Sequence, residues 1–168
     1  MIYIDQTMRE VRLHKPVSRI VCLVPSITEL LSELGLDDRI AGITKFCIHP
    51  EHIFREKTKV GGTKNVNHEK VKALQPDLII ANKEENTKKD IELLEKDFPV
   101  WISDISNYEE ALSMIHEIGQ LTDTSSKAEI LIENIRTSFQ GIQQFNNISV
   151  LYLISKNPYM AAAKHTFI

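Results

Sequence analysis

The stretch VGGTKNVNHEKVKALQPDLIIA, residues 60–81, decides how the rest of this chain is read. Its paired glycines, Gly61 and Gly62, predict a turn, because glycine alone takes a positive φ without steric penalty. Asn67 is then placed to cap a short helix. Within that helix Val71 and Leu74 fall three apart on one face, and Glu69 lies in the first turn, where the helix dipole favours a carboxylate. Gln75 and Pro76 end it, since proline biases its predecessor out of the α region. LIIA at 78–81 is an apolar run without alternation, the pattern of a strand covered on both faces. Glycine turn, helix, proline stop and buried strand together predict an α/β unit with a mainly parallel sheet.

Working upstream, IVCLV at 20–24 predicts a strand that runs through Pro25 and Ser26 into a helix over about 27–34. Ile27, Leu30, Leu31 and Leu34 follow the i, i+3, i+4, i+7 rule, and Gly35 stands where a helix stops. In an open α/β sheet such a turn lies at the carboxyl edge of the strands, where ligands bind, so Ser26 is either a cleft residue or an N-cap. IAGI at 40–43 is the next strand and empties into TKFCIHP at 44–50. Cys47, His49 and His52 bring a thiol and two imidazoles close together in sequence, a soft metal set one ligand short of a structural zinc site. The alternative is that Pro50 opens a helical turn, His52 faces solvent and Cys47 packs as a small hydrophobe. Residues 1–13 read as a small hairpin covering a sheet edge.

Downstream of the opening stretch, the strand at 78–81 leads to Lys83, Glu84, Glu85 and Asn86. This group offers a ligand both donors and acceptors, or else forms a solvated helix entrance capped by Asn86. A helix to about 97 with Ile91, Leu93 and Leu94 inward, a strand at 98–102 and a helix from 108 to about 119 capped by Asn107 are expected next. Trp101, inside a strand, is expected in the core rather than as a stacking platform. After a break at 121–124, Ala128, Leu131, Ile132, Ile135, Phe139 and Ile142 recur at three and four, predicting a helix over 125–145 that Gly141 weakens near its end. About twenty helical residues reach roughly 30 Å. A strand is expected at 148–154.

Composition narrows the function classes. A chain of 168 residues can bury one sizeable core, and 42% hydrophobic with 26% charged residues argues against disorder. A formal net charge of -3 argues against a general nucleic-acid binder. No apolar stretch approaches bilayer-spanning length, and two cysteines are too few for a disulfide framework. There is no P-loop and no G-x-S-x-G element, and Cys47 with His49 two residues away in a loop is poor geometry for a thiol nucleophile and its base. A Cys-dependent enzyme is accordingly the third-ranked reading. The start, MIYIDQTMREVRLHKPVSRIV, has no apolar h-region behind a basic n-region and does not read as a signal peptide.

The pattern GG-x-x-N-x-x-x-E-K-V-x-A-L-x-P-D-L-I-I-A, with IVCLVPSITELL upstream and SKNPYMAAAKHTFI downstream, resembles the substrate-binding proteins of ABC importers for cobalamin, ferric siderophores and haem. The resemblance implies a Rossmann-like α/β lobe over 1–123, a backbone helix over 124–145, and the first strand of an incomplete second lobe over 146–168. It implies capture of an iron chelate, haem or cobalamin-like ligand between two lobes, delivery to a membrane permease, and a periplasmic or cell-surface location. The absent leader keeps open a cytoplasmic metal- or tetrapyrrole-binding module of the same fold. No resident cofactor is assigned.

Ser26, Phe46, Cys47, His49, Thr63, Lys64, Lys83, Glu84 and Asn86 are the ligand-binding candidates of the first lobe; the resemblance implies that the loop holding Phe46 lines the cleft, with Phe46 as its aromatic. Lys156, Asn157 and Tyr159 match the cleft-facing start of the second lobe, and Tyr159 is the ligand candidate there. Where cobalamin receptors carry a cleft tryptophan, this chain has Thr63. Glu69 matches the first-lobe acid that docks with arginine pockets of the permease; without the resemblance it is equally a carboxylate complementing a helix dipole. Only about twenty residues follow the long helix, below the size that builds its own core. That segment is therefore expected to pack on the first lobe, to associate with a second chain, or to be poorly ordered.

Overall fold

A computed structural model describes residues 1–142 and 149–162. In chain order the elements are β1 (Ile2–Ile4), β2 (Glu10–Arg12), β3 (Ile20–Cys22), α1 (Pro25–Glu33), β4 (Ile40–Ile43), α2 (Glu51–Glu56), β5 (Thr58–Lys59), β6 (Gly61–Gly62), β7 (Asn65–Val66), α3 (His68–Leu74), β8 (Leu78–Asn82), α4 (Lys88–Leu94), β9 (Val100–Ser103), α5 (Tyr108–Leu121), α6 (Ser125–Gln140), β10 (Leu153–Lys156) and β11 (Tyr159–Ala161). Five strands form one wholly parallel sheet in the order β5-β4-β3-β8-β9.

Helices cover both faces of that sheet, which is why its strands are apolar without alternation. Ile20, Cys22, Leu78, Ile80 and Trp101 face a core shared with α1, α5 and α6. Val21, Ile79, Ala81, Val100 and Ile102 face a second core built with α3, α4 and the β6–β7 hairpin. Trp101 is fully buried, as expected of a strand aromatic. None of the described helices is long and apolar enough to cross a membrane.

The central stretch folds largely as its residues dictate. The side chain of Asn67 accepts from Lys70 N at 2.9 Å and caps α3. Gln75 turns left-handed at φ 45° ahead of Pro76, and β8 follows fully buried. One detail differs: the glycine pair is itself a strand, paired antiparallel with β7, and the turn falls on Thr63 and Lys64. Gly61 is still indispensable, since its φ is 118° and a Cβ there would stand 2.4 Å from the Asn65 carbonyl oxygen.

Other boundaries move for local reasons. Proline is favoured in a first helical turn, so α1 starts at Pro25 and Ser26 lies inside it rather than capping it. Thr87, not Asn86, caps α4, accepting from Asp90 N at 3.2 Å. That helix ends at Leu94 instead of 97, with Leu93 39% exposed and outward rather than inward. The next strand begins at Val100, two residues later than expected. The long helix ends at Gln140 with Gly141 as its C-cap; Ala128 and Ile132 are buried while Phe139 is half exposed and stacks on Tyr108 with centroids 4.5 Å apart. The expected continuation over 143–145 lies outside the described residues. The strand expected at 148–154 is found as β10, shifted toward the C-terminus and paired with β11 in an exposed hairpin; Ile148 lies outside the described residues.

Two carboxylates fasten the sheet, one at its β9 edge and one where its central strands β3 and β8 begin. Asp5, 2% exposed, sits in the loop between β1 and β2, and that loop rather than the strands covers the free edge of β9. Asp5 Oδ2 accepts from Ile102 N at 3.3 Å, Gln6 N donates to Ile102 O at 3.2 Å, and Arg9 Nη2 donates to Val100 O at 3.4 Å. Where β3 and β8 begin, Asp77 accepts at Oδ2 from Ser18 N, Ser18 Oγ and Arg19 N at 2.9, 2.7 and 3.0 Å, and pairs through Oδ1 with Lys15 at 2.6 Å. Burial alone would raise its pKa, but the hydrogen bonds from Lys15 and Ser18 prevail and bring its carboxyl down to about 2. Asp77 thereby fastens the entry of β8 to the entry of β3.

Candidate functional site

The carboxyl ends of β3, β4, β8 and β9 share one edge, and the turns that leave them carry most of the residues singled out from sequence. Two buried amides tie that edge together. Asn82, the last residue of β8, donates from Nδ2 to Ser103 Oγ at 3.0 Å and accepts at Oδ1 from Glu84 N and Glu85 N at 2.9 and 3.0 Å. Asn86, 5% exposed, accepts at Oδ1 from Asn82 N at 2.9 Å and donates from Nδ2 to Thr63 O at 3.0 Å and Leu23 O at 3.3 Å. The end of β3, the hairpin turn and the β8–α4 turn are thus joined at one side chain. Lys64 Nζ adds a second link, donating to Glu84 O.

Against this frame the β4–α2 loop forms the rim. Lys45 N donates to Gly61 O at 2.8 Å, which sets the loop beside the glycine strand. Phe46 then lies over Gly62, where a Cβ would meet the ring at 3.2 Å, and is 52% exposed. Lys45 Nζ stands 5.0 Å from the ring centroid, and Ile48 is 55% exposed close by in the same loop. The result is an aromatic platform with a cation above it. Lys45 and Lys64 are exposed and enter no ion pair among the described residues, whereas Lys83 pairs with Asp104.

The structure separates the proposed metal set. Cys47 is fully buried, with Thr28 Oγ1 and Thr44 Oγ1 each 3.2 Å from its sulfur, so it packs inward and offers no thiol to the cleft. His49 is exposed, and His52 is held by Asp37 at 2.8 Å. Among the described residues no three His, Cys, Asp or Glu side chains converge to hold a metal ion. The bland alternative is the observed one: Pro50 precedes α2 and His52 lies on its outer side. Cys22 is likewise buried, and burial, together with the nearby Cys47, pushes its thiol up to about 12.

The remaining candidates sort by exposure. Glu84 and Ser26 are exposed at the edge; Thr63 is 8% exposed, its carbonyl taken by Asn86. Glu69 is exposed in the first turn of α3. Tyr159 stands 73% exposed on β11, in the hairpin rather than on the sheet edge. Sequence reasoning missed Asn82, Lys45, Asp104 and Glu117. The last three line or neighbour the carboxyl edge; a cavity of about 450 Å³ is lined there by Gln6, Lys83, Glu84, Asp104, Glu110 and Glu117. Burial pushes the Glu117 carboxyl up. Only Asn82 carried a usable signal, a polar residue ending a fully apolar strand. A larger cavity, about 600 Å³, lies at the opposite end of β9 around Phe98, Pro99 and Val100 and holds none of the candidates.

A family model described as periplasmic binding protein matches residues 20–166. The chain is 30% identical over 144 residues to an uncharacterized ABC transporter substrate-binding lipoprotein, YvrC, of Bacillus subtilis, covering 83% of this chain and 45% of that protein. It is 26% identical over 155 residues to the vitamin B12-binding protein of Vibrio parahaemolyticus, covering 89% and 56% respectively. Its fold is similar to the solved structure of a possible iron-binding (periplasmic solute-binding) protein from Staphylococcus epidermidis, with a TM-score of 0.74, 28% identity, and coverage of 91% of this chain and 63% of that one. The chain spans about half the length of the curated relatives it matches.

Proposed function

Because the chain belongs to the periplasmic binding protein family, we propose that it is the solute-capturing part of an ABC importer, working outside the cytoplasmic membrane and handing its ligand to a permease. In this reading residues 1–123 form the first ligand-binding lobe, 124–145 contain the backbone helix, and 146–168 begin a second lobe. Ligand rests on the carboxyl edge of the parallel sheet, against Phe46 and Ile48, with Lys45, Lys64, Lys83, His49 and Glu84 around it. Glu69, exposed at the start of α3, supplies a carboxylate for charge-assisted pairing with arginine on the permease. No catalytic step belongs to this function.

The observation that carries the ligand class is the half-exposed Phe46 ring seated on Gly62 with Lys45 above it. The names of relatives point to vitamin B12 and to iron. The charge around Phe46 favours iron: Lys45 and Lys64, exposed and without acidic partners among the described residues, suit an anionic, partly aromatic ferric chelate. Position 63 offers no ring for a corrin, being a threonine, and it is buried with its carbonyl engaged.

Isothermal titration of the chain with a ferric tricatecholate, cyanocobalamin and haemin tests this. The chelate is expected to bind, more weakly as salt is raised, and Phe46→Ala is expected to weaken it by about tenfold, the cost of one aromatic contact. Binding of cyanocobalamin alone, or no binding by any of the three, would overturn the assignment.

A further inference from the structure

The path from the β6–β7 turn into α3 is held from outside at its two ends, both times by the segment that leaves β8. Asn86 Nδ2 donates to Thr63 O at 3.0 Å, and Asp90 Oδ1 meets His68 Nε2 at 2.9 Å. Thr63 and His68 are the two ends of the short path through β7 into α3, so one face of the 86–90 segment grips both ends of that path. Each grip is well supported. Asn86 is buried and spends its remaining donor on Leu23 O and its oxygen on Asn82 N. Asp90 is largely buried, its side chain 15% exposed, and its second oxygen accepts from Thr87 Oγ1 at 2.8 Å.

We propose that Asn86 and Asp90 act together as positioning residues, fixing the 63–68 segment, and with it the docking acid Glu69, relative to the loop that walls the cleft. The inference rests on the reading of this edge as a ligand cleft and of Glu69 as the permease contact. Neither residue needs to touch ligand or permease. The segment 82–90 touches both regions, so the two side chains hold the start of α3 in register with the Lys83–Asn86 turn. Asparagine is required at 86: an aspartate keeps the bond from Asn82 N but turns an acceptor toward the carbonyls of Thr63 and Leu23.

Amide hydrogen exchange of the folded chain, followed by NMR, tests the clamp in Asn86→Asp and Asp90→Asn. Either substitution is expected to speed exchange across residues 63–70 on the order of tenfold, the loss of about one hydrogen bond, while amides of β3 and of residues 78–81 in β8 stay within about twofold. Equal acceleration throughout the sheet would show a general structural role and overturn the proposal; so would unchanged exchange at 63–70. Asp90→Asn keeps the test open if Asn86→Asp does not fold, because it removes a charge without adding bulk. Titration with the ferric tricatecholate stands apart from this readout: absence of binding by the parent chain sinks the ligand reading, while the exchange pattern alone judges the clamp.

Discussion

Replacing Asp77 by asparagine removes the one carboxylate that receives Lys15, Ser18 and Arg19 at the start of the sheet, while keeping nearly the same shape. In the folded chain this carboxyl is held at about 2 against an ordinary value of 3.8. A difference of that size corresponds to roughly 2 kcal/mol of folding free energy. Because the folded-state value is the lower one, the contribution is fully present above the ordinary carboxylate range. It declines as pH falls through 3.8 toward 2, where the unfolded chain takes up the proton first. Near neutral pH the variant is therefore expected to be less stable by about 2 kcal/mol, a fall of about 4–8 °C in Tm for a domain of this size. Trp101 is the only tryptophan and is fully buried, so its emission follows urea unfolding directly. The two unfolding curves should converge as pH approaches about 2. A gap between parent and variant that is the same in acid as at neutrality, or no gap at neutrality, would refute the reasoning.

Three further outcomes follow from the same contacts. Asp5→Ala should cost roughly 2–4 kcal/mol in urea unfolding, since it strips the buried partner of Arg9 and Ile102 N and uncovers the edge of β9; a loss below about 0.5 kcal/mol would mean the edge is protected by other means. Gly61→Ala should destabilise by about 1–3 kcal/mol, because its φ of 118° and the 2.4 Å approach of Asn65 O leave no room for a methyl; Gly141→Ala, at a φ of -79°, is the control expected to be tolerated. Both thiols should resist an aromatic disulfide reagent in the native chain near pH 8 and react together in denaturant, since Cys22 and Cys47 are buried; native-state labelling of Cys47 would place it in the cleft after all.

What could be read from sequence was what neighbours along the chain determine. Asn67 as a cap and the Gln75 and Pro76 stop rest on contacts within four residues, the LIIA strand is announced by its own unbroken apolar run, and all three are found. The failures share the opposite property. Asn86 looked like a cap because its immediate neighbours are polar, yet its donors go to Leu23 and Thr63, residues 63 and 23 positions away, and Thr87 does the capping. Cys47 and two histidines looked like a metal set because they are close in sequence. Cys47 instead turns inward between Thr44 of its own loop and Thr28 of α1, and no spacing rule relates Thr28 to that loop. The hairpin at the start was legible as edge cover, but not that Asp5 would do the work by accepting from Ile102 N, 97 residues downstream. Local chemistry set the elements, and packing between them set which polar groups were left facing outward.

Where ligand sits on the labelled chain decides whether the carboxyl edge is the binding surface. A high-spin ferric tricatecholate broadens amide resonances near its iron, so a titration followed by heteronuclear NMR maps the site without a second probe. Broadening confined to residues 23–27, 44–49, 61–65, 83–86 and 104–107 is predicted, because those turns lie together at the carboxyl edge of the sheet. Broadening centred instead on residues 95–100, at the cavity beside the opposite end of β9, would contradict the account.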